Sequence, residues 1–252
     1  MGQFEIYFAT SFLDSNGNPI EDPQKTSFNG RLATRLEQEG FKVFYHPSDG
    51  FSPEDLKQKL KEKGLPEDKI VPAVDSIRYH YHMGIMIPKT DIFLVPLNEP
   101  ITSDIDVRTR YARTTDRFLV AYKTDLQDET NLDGLSKSIS PYLLYEFRPR
   151  ISTSGKRTNS LVYVSSKGET EEEIKSITEF LKQKTNRIPQ NMPIPDYAKQ
   201  NPNLTEVLHN AQKRLFRGIK DIHSPESLEE IAKRFVESQD TFRLHPSINF
   251  VL

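Results

Sequence analysis

Short apolar runs alternate with amphipathic stretches along most of the chain. FEIYFA (4–9), FKVFYH (41–46), DIFLVPL (91–97) and RFLVAYK (117–123) read as strands, and NSLVYVSS (159–166) as a fifth. The second to fifth are short, rich in β-branched and aromatic residues, and bounded by polar or turn residues. Between them lie helical patterns. FNGRLATRLEQEG (28–40) places Leu32 and Leu36 at i, i+4 and stops at Gly40, a residue suited to the position after a helix end. SPEDLKQKLKEKG (52–64) opens with Ser52 as N-cap, Pro53 in the first helical position and acids in the first turn. Residues 68–88 predict a longer helix ending before Pro88. Residues 103–116 predict a helix with an acidic start, Asp104 and Asp106, followed by Arg108, Arg110 and Arg113. Residues 170–184 open on a Thr cap and close on lysines, as the helix dipole favours.

Strand–helix alternation predicts a parallel sheet covered on both faces, that is, a flavodoxin-like α/β domain over 1–187. From Ile188 the texture changes. IPQNMPIPDYAKQNP is Pro-rich and reads as a linker within a 188–252 extension. Two helices follow, near 203–217 and 224–238, the second starting at Ser224-Pro225-Glu226. Leu204, Val207, Leu208, Ala211 and Leu215 form a stripe that should pack on the domain or on a second copy, and a homo-oligomer is expected.

Composition narrows the function classes. With 252 residues and a formal net charge of −2, no global field favours nucleic acid or an anionic membrane. The clusters GKR (155–157) and QKR (212–214) have no interleaved aromatics and read as solvated surface. There are no cysteines, which removes disulfides, thiolate nucleophiles and Cys-ligated zinc. MGQFEIYFATSF does not read as a signal peptide, and Ile6 stands where a myristoylation pattern wants Ser or Thr. No apolar run approaches the roughly 18 residues of a membrane span. A cytoplasmic location is expected, with no cofactor.

In open α/β sheets ligands bind beyond the carboxyl ends of the strands. Those ends supply Thr10 and Ser11; His46, Ser48 and Asp49; Asn98 and Glu99; Thr124 and Asp125. Ser-Asp-Gly at 48–50 is also ordinary turn chemistry, and Asp125 could cap the next loop.

These residues carry a resemblance to the nucleoside 2-deoxyribosyltransferase family. IYFATSF is similar to that family's first strand running into a small-residue loop that ends in Phe. FYHPSDGF (44–51) is similar to its second strand and the Asp-Gly-Phe that follows, which includes Phe51. DIFLVPL matches a third strand, and RYARTTDRFLVAYKTDLQDETN (110–131) its helix–strand–loop. The similarity covers roughly residues 3–184. It implies a nucleoside or nucleotide ligand and chemistry at an N-glycosidic bond, by a glutamate on this helix that attacks the sugar C1′. Aligned on Tyr111-Ala112, the glutamate position falls on Arg108 and a glycine on Arg110. Arginine stays protonated and cannot attack an electrophile, so standard base exchange is expected to be absent or very weak. Asp104, one turn earlier on the same face, is the better substitute nucleophile, and Glu99 the second. Asp104 with Arg108 and Asp106 with Arg110 are equally acid-first i, i+4 surface pairs, and Arg108 could instead grip a phosphate or carboxylate. The family has an assisting aspartate on the helix spanning RYHYH (78–82); here Tyr81 or His82 occupies the place. No third ligand accompanies the histidines, so no metal is expected. The function read from these residues is a diverged N-glycosidic transferase or nucleotide N-glycosidase, with a catalytically silent nucleotide-binding or regulatory module, or an interaction protein working through its extension, as the alternatives.

Overall fold

A computed structural model describes residues 3–10, 27–45, 51–98, 103–125, 150–151, 157–158, 160–186, 188 and 190–238. The chain divides into two compact units, Met1–His46 with Lys89–Pro195, and Pro47–Pro88 with Asp196–Leu252.

The first unit is built on a five-stranded, all-parallel sheet. Its strands are β1 (Glu5–Phe8), β2 (Lys42–Tyr45), β3 (Ile92–Pro96), β4 (Phe118–Lys123) and, after a two-stranded antiparallel pair β5 (Arg150–Ile151) and β6 (Arg157–Thr158), β7 (Ser160–Val164). The order β2-β1-β3-β4-β7 is flavodoxin-like, with the topological switch between β1 and β3. All five expected strands are present, each within two residues of its expected ends. Alternation along the strands sorts the faces. Ile6, Phe8, Val43, Tyr45, Ile92, Leu94, Phe118, Val120 and Tyr122 form one core with helices α1 (Phe28–Gln38) and α5 (Glu171–Thr185). Leu32 and Leu36 of α1, and Ile174, Ile177 and Leu181 of α5, supply the helical side. On the other face Tyr7 stacks on Phe93, with ring centroids 5.1 Å apart. There α4 (Ser103–Thr114) packs on β3 and β4 through a narrow face of Ile105, Thr109 and Ala112. The caps read from sequence are in place: Thr170 accepts from the Glu173 N–H, and Gly40 has a positive φ of 92° after α1.

The Pro-rich segment from Ile188 is tied to the amino ends of the strands. Ile188 is buried in the core. The buried Asp91 carboxylate accepts from the backbone N–H of Glu5 (3.0 Å) and of Asn191 (2.7 Å). Arg117, also buried, donates to the carbonyls of Thr90 (3.0 Å), Thr115 (2.9 and 2.7 Å) and Met192 (2.7 Å). Within this unit the segment is a strap rather than a loose tether, because two charged side chains at the strand starts need its backbone as partners.

The second unit is helical. It contains α2 (Pro53–Glu62) and α3 (Glu67–Tyr81), then α6 (Asp196–Lys199), α7 (Pro202–His209) and α8 (Pro225–Glu237). Ser52 and Ser224 cap α2 and α8 as their sequences predict. Leu56 and Leu60 of α2 and Leu228, Ile231 and Phe235 of α8 are buried where the two helices pack, and Lys63 pairs with Glu229 at 2.8 Å. Leu204, Val207, Ala211 and Leu215 of the expected stripe are buried, with Leu208 half-buried. The sequence predicts one helix that ends before Pro88 and another near 203–217, both uninterrupted. The chain instead widens into π-helix at His82–Met86 and Asn210–Leu215. The two π segments meet at Gly84 and Ala211, and Gln212 Nε2 donates to the Gly84 carbonyl (3.0 Å).

Candidate functional site

The crevice at a switch point lies beyond the carboxyl ends of the strands on either side of it, here β1 and β3. Thr10, just past β1, is buried, and its hydroxyl accepts from Asn29 Nδ2 (3.3 Å). Asn29 sits in the first turn of α1, and its carbonyl oxygen accepts from the Tyr122 hydroxyl at the end of β4. Ser27, the α1 N-cap, lies 3.2 Å from the Tyr45 hydroxyl at the end of β2. Side chains from three strand ends are thereby locked to the start of one helix.

A second polar group joins β3, β4 and β7. Asn98 accepts from the Thr124 N–H (2.9 Å) and donates to the Thr124 hydroxyl (2.6 Å) and to Glu169 Oε1 (3.2 Å). Lys123 is buried, yet its ammonium has a carboxylate partner, Asp125, at 2.7 Å and a longer contact to the Leu97 carbonyl (3.4 Å). Asp125 itself is 54% exposed. It therefore offers its remaining lone pairs to a ligand while its charge is anchored from below. At the end of β7, the Ser165 hydroxyl donates to Glu173 Oε1 (2.6 Å), and Glu173 Oε2 is buried with no partner among the described residues.

Arg108 lies on the opposite sheet face, at the flank of α4's buried stripe. Its Nη1 donates to the Tyr7 hydroxyl at 2.9 Å, with the guanidinium 6.0 Å from the Tyr7 ring centroid. Asp106 and Arg110 form the acid-first i, i+4 pair read from sequence, at 2.9 Å.

Thr10, Arg108 and Asp125 belong to the first unit, and Phe51, Tyr81 and His82 to the second. Phe51 and Tyr81 are buried, with their rings 6.0 Å apart, and Tyr81 also packs on Phe216 (5.3 Å). His82 is half-buried, edge-on to Tyr81. Ser11, Asp49 and Glu99 lie outside the described residues, as does the side chain of Asp104, whose backbone is in the first turn of α4. His80 is buried with Nδ1 2.8 Å from the Ser76 carbonyl, a packed and hydrogen-bonded role. Among the described residues no group of three His, Asp or Glu could hold a metal, and no helix is long and apolar enough to cross a membrane.

No family model, curated protein or solved structure matches the chain. Function rests on the chemistry of the residues themselves. Sequence reasoning missed Asn29, Tyr122, Lys123 and Glu173. Only the last had a local signal, the Thr170-x-x-Glu173 spacing of a capping box. The Glu173 carboxylate turns to Ser165 instead, while the Thr170 N–H donates to the Gly168 carbonyl.

Proposed function

We propose that the chain binds a nucleoside or nucleotide at the carboxyl ends of its parallel strands, as a diverged relative of the nucleoside 2-deoxyribosyltransferases with base exchange absent or very weak. The observation that carries this reading is the Arg108–Tyr7 hydrogen bond. The residue aligned with the family's nucleophile is a cation held against the sheet by a tyrosine hydroxyl. An oxocarbenium-like transition state puts positive charge on the sugar ring. A guanidinium about 4 Å from it raises the barrier by about 4 kcal/mol at an effective dielectric near 20, close to a thousandfold in rate. The polar strand ends support ligand recognition. Asp125, anchored by Lys123, and Glu169, bonded to Asn98, present exposed carboxylates to hydroxyl or amino donors. A silent binding or regulatory module is favoured over an active transferase by the same arginine, with Asp104 as the substitute nucleophile if hydrolysis persists.

The test incubates the protein with deoxynucleosides, nucleoside monophosphates and a second base, with Asp104→Ala, Arg108→Glu and Asp125→Ala alongside, and measures binding by calorimetry. Binding without exchange, weakened in Asp125→Ala, is the expected result. Base exchange appearing only in Arg108→Glu would identify a site that has lost its nucleophile. Robust exchange by the native protein, untouched by Asp104→Ala, would refute the alignment of Arg108 with the nucleophile.

A further inference from the structure

The helical unit carries a cavity of about 550 Å³ lined by Lys213, Arg214, Arg217, Gly218, Arg234, Glu237 and Ser238. Four of these are cations and one is an acid. Lys213 and Arg214, of the QKR cluster (212–214) read from sequence as solvated surface, are thus gathered with two more arginines from the following turn and from α8. Several cations elsewhere in this unit are paired: Lys57, Lys59, Lys61 and Lys63 each contact a glutamate. Lys213, Arg214 and Arg217 contact no acid among the described residues.

The ordinary account of basic residues here is that they complement the carbonyl ends of helices. Arg234 already fills that role. Its Nη1 donates to the carbonyls of Arg217 (2.7 Å), Leu215 (3.1 Å) and Arg214 (3.4 Å), and its Nε pairs with Glu230 at 2.8 Å. The oxygens that would repel an anion are covered, and the chain is free to turn at Gly218, where φ is 73°. Lys213, Arg214 and Arg217 are surplus to this cap. They leave a concavity whose described lining carries four cations against one acid, on a protein whose net charge is −2. Its volume falls in the range of small-molecule pockets, about 300–1,000 Å³, and a planar guanidinium pair beside an ammonium suits phosphate oxygens.

We infer that this cavity binds a small polyphosphorylated ligand, gripped by Lys213, Arg214 and Arg217, with Arg234 fixing the wall. The inference stands on the helical unit alone and does not depend on an N-riboside at the sheet.

The full chain is titrated with sodium tripolyphosphate, ATP and a single-stranded RNA oligomer by calorimetry, at low and at physiological salt. Lys213→Glu and Arg217→Glu are measured beside it. Both side chains are exposed and hold no bond among the described residues, so their variants should keep the parent melting temperature. Saturable binding of tripolyphosphate or ATP, weaker by at least about tenfold in each reversal and falling with salt, is the expected result. Glu237→Gln removes the one acid of the lining and should tighten binding. Absence of binding by either phosphate compound, equal affinity in the reversal variants, or tighter capture of the RNA than of both small ligands would overturn the inference.

Discussion

Replacing Arg117 with Met keeps the volume of a long side chain and deletes every donor that this side chain offers to the strap and to the strand starts. The guanidinium is buried, and its bonds among the described residues include four to the carbonyls of Thr90, Thr115 and Met192. Burial pulls its pKa below the usual arginine value, Asp116 and Asp91 oppose that shift in part, and an arginine stays protonated in proteins. The charge therefore remains, and its desolvation has already been offset by these bonds. Each bond to a charged donor contributes about 1.5–3 kcal/mol, and removing one partner of a buried charged group typically costs about 3–5 kcal/mol. Asp91, 2.7 Å from the Asn191 N–H, would also lose a nearby positive charge. We expect Arg117→Met to destabilise by about 3–5 kcal/mol, a large share of the roughly 5–15 kcal/mol of a whole domain. That corresponds to a melting temperature lower by about 10 °C. Urea unfolding followed by circular dichroism measures the free energy, and limited proteolysis near Met192 reports release of the strap. Arg117→Lys, with three donors on a point charge, should fall between Met and the parent. A loss below about 1 kcal/mol for Arg117→Met, or unchanged cleavage near Met192, would show that the strap does not depend on this side chain.

Gly84→Ala should destabilise by about 1–3 kcal/mol although alanine is the better helix former, because its Cβ would lie 2.1 Å from the Ala211 Cβ. The double variant with Ala211→Gly should recover part of the loss, and urea midpoints of the four proteins check the coupling. Glu39 accepts from Lys182 (2.8 Å) across α1 and α5, and that hydrogen bond, with the charges of Lys182 and Arg35, holds its carboxyl below the ordinary 4.5. Its contribution is present above that value and is lost as pH falls through the lower folded value, so Glu39→Gln should lose less stability than the parent on acidification. Lys182 is raised above 10.5, chiefly by the same bond, and its contribution is lost only as pH rises through that higher value. A parent and a Glu39→Gln protein with parallel acid profiles would exclude the clamp.

The sheet is legible in the sequence for a physical reason. Strands buried on both faces must be apolar throughout, and β3 and β4 are buried at every position, so their runs stand out from the polar segments around them. Capped helices are legible because a cap is a local event: Ser52, Thr170 and Ser224 each satisfy an N–H only three residues on. The π segments are not legible. Apolar residues at i, i+3 and i+4 face inward whether or not one residue is inserted into a turn, and what marks the register is a meeting of Gly84 and Ala211 across more than a hundred residues of chain.

The polar groups at the strand ends obey the same division. Thr10, Asn98, Thr124 and Asp125 are visible because each follows an apolar run directly. Their partners are not: Asn29 meets Tyr122 from 93 positions away, and Asn98 meets Glu169 from 71. Arg108 is the informative case, because both kinds of signal bear on it. Its helical spacing is equally compatible with a solvated pair to Asp104 and with a side chain turned to the sheet. What the spacing does not show is Tyr7, 101 positions earlier, on a strand whose alternation points that ring to the α4 side. A hydroxyl there gives the guanidinium an acceptor that a surface arginine lacks, and Tyr7→Phe would take it away. Loss of that bond should loosen the hold of the sheet on Arg108 without moving the strands, since the stacked contact of the ring with Phe93 is retained. Ligand affinity that rises for phosphorylated nucleosides in Tyr7→Phe, and stays level for unphosphorylated ones, would show Arg108 to be the residue that reads the phosphate. Equal change for both would confine Arg108 to holding the helix against the sheet.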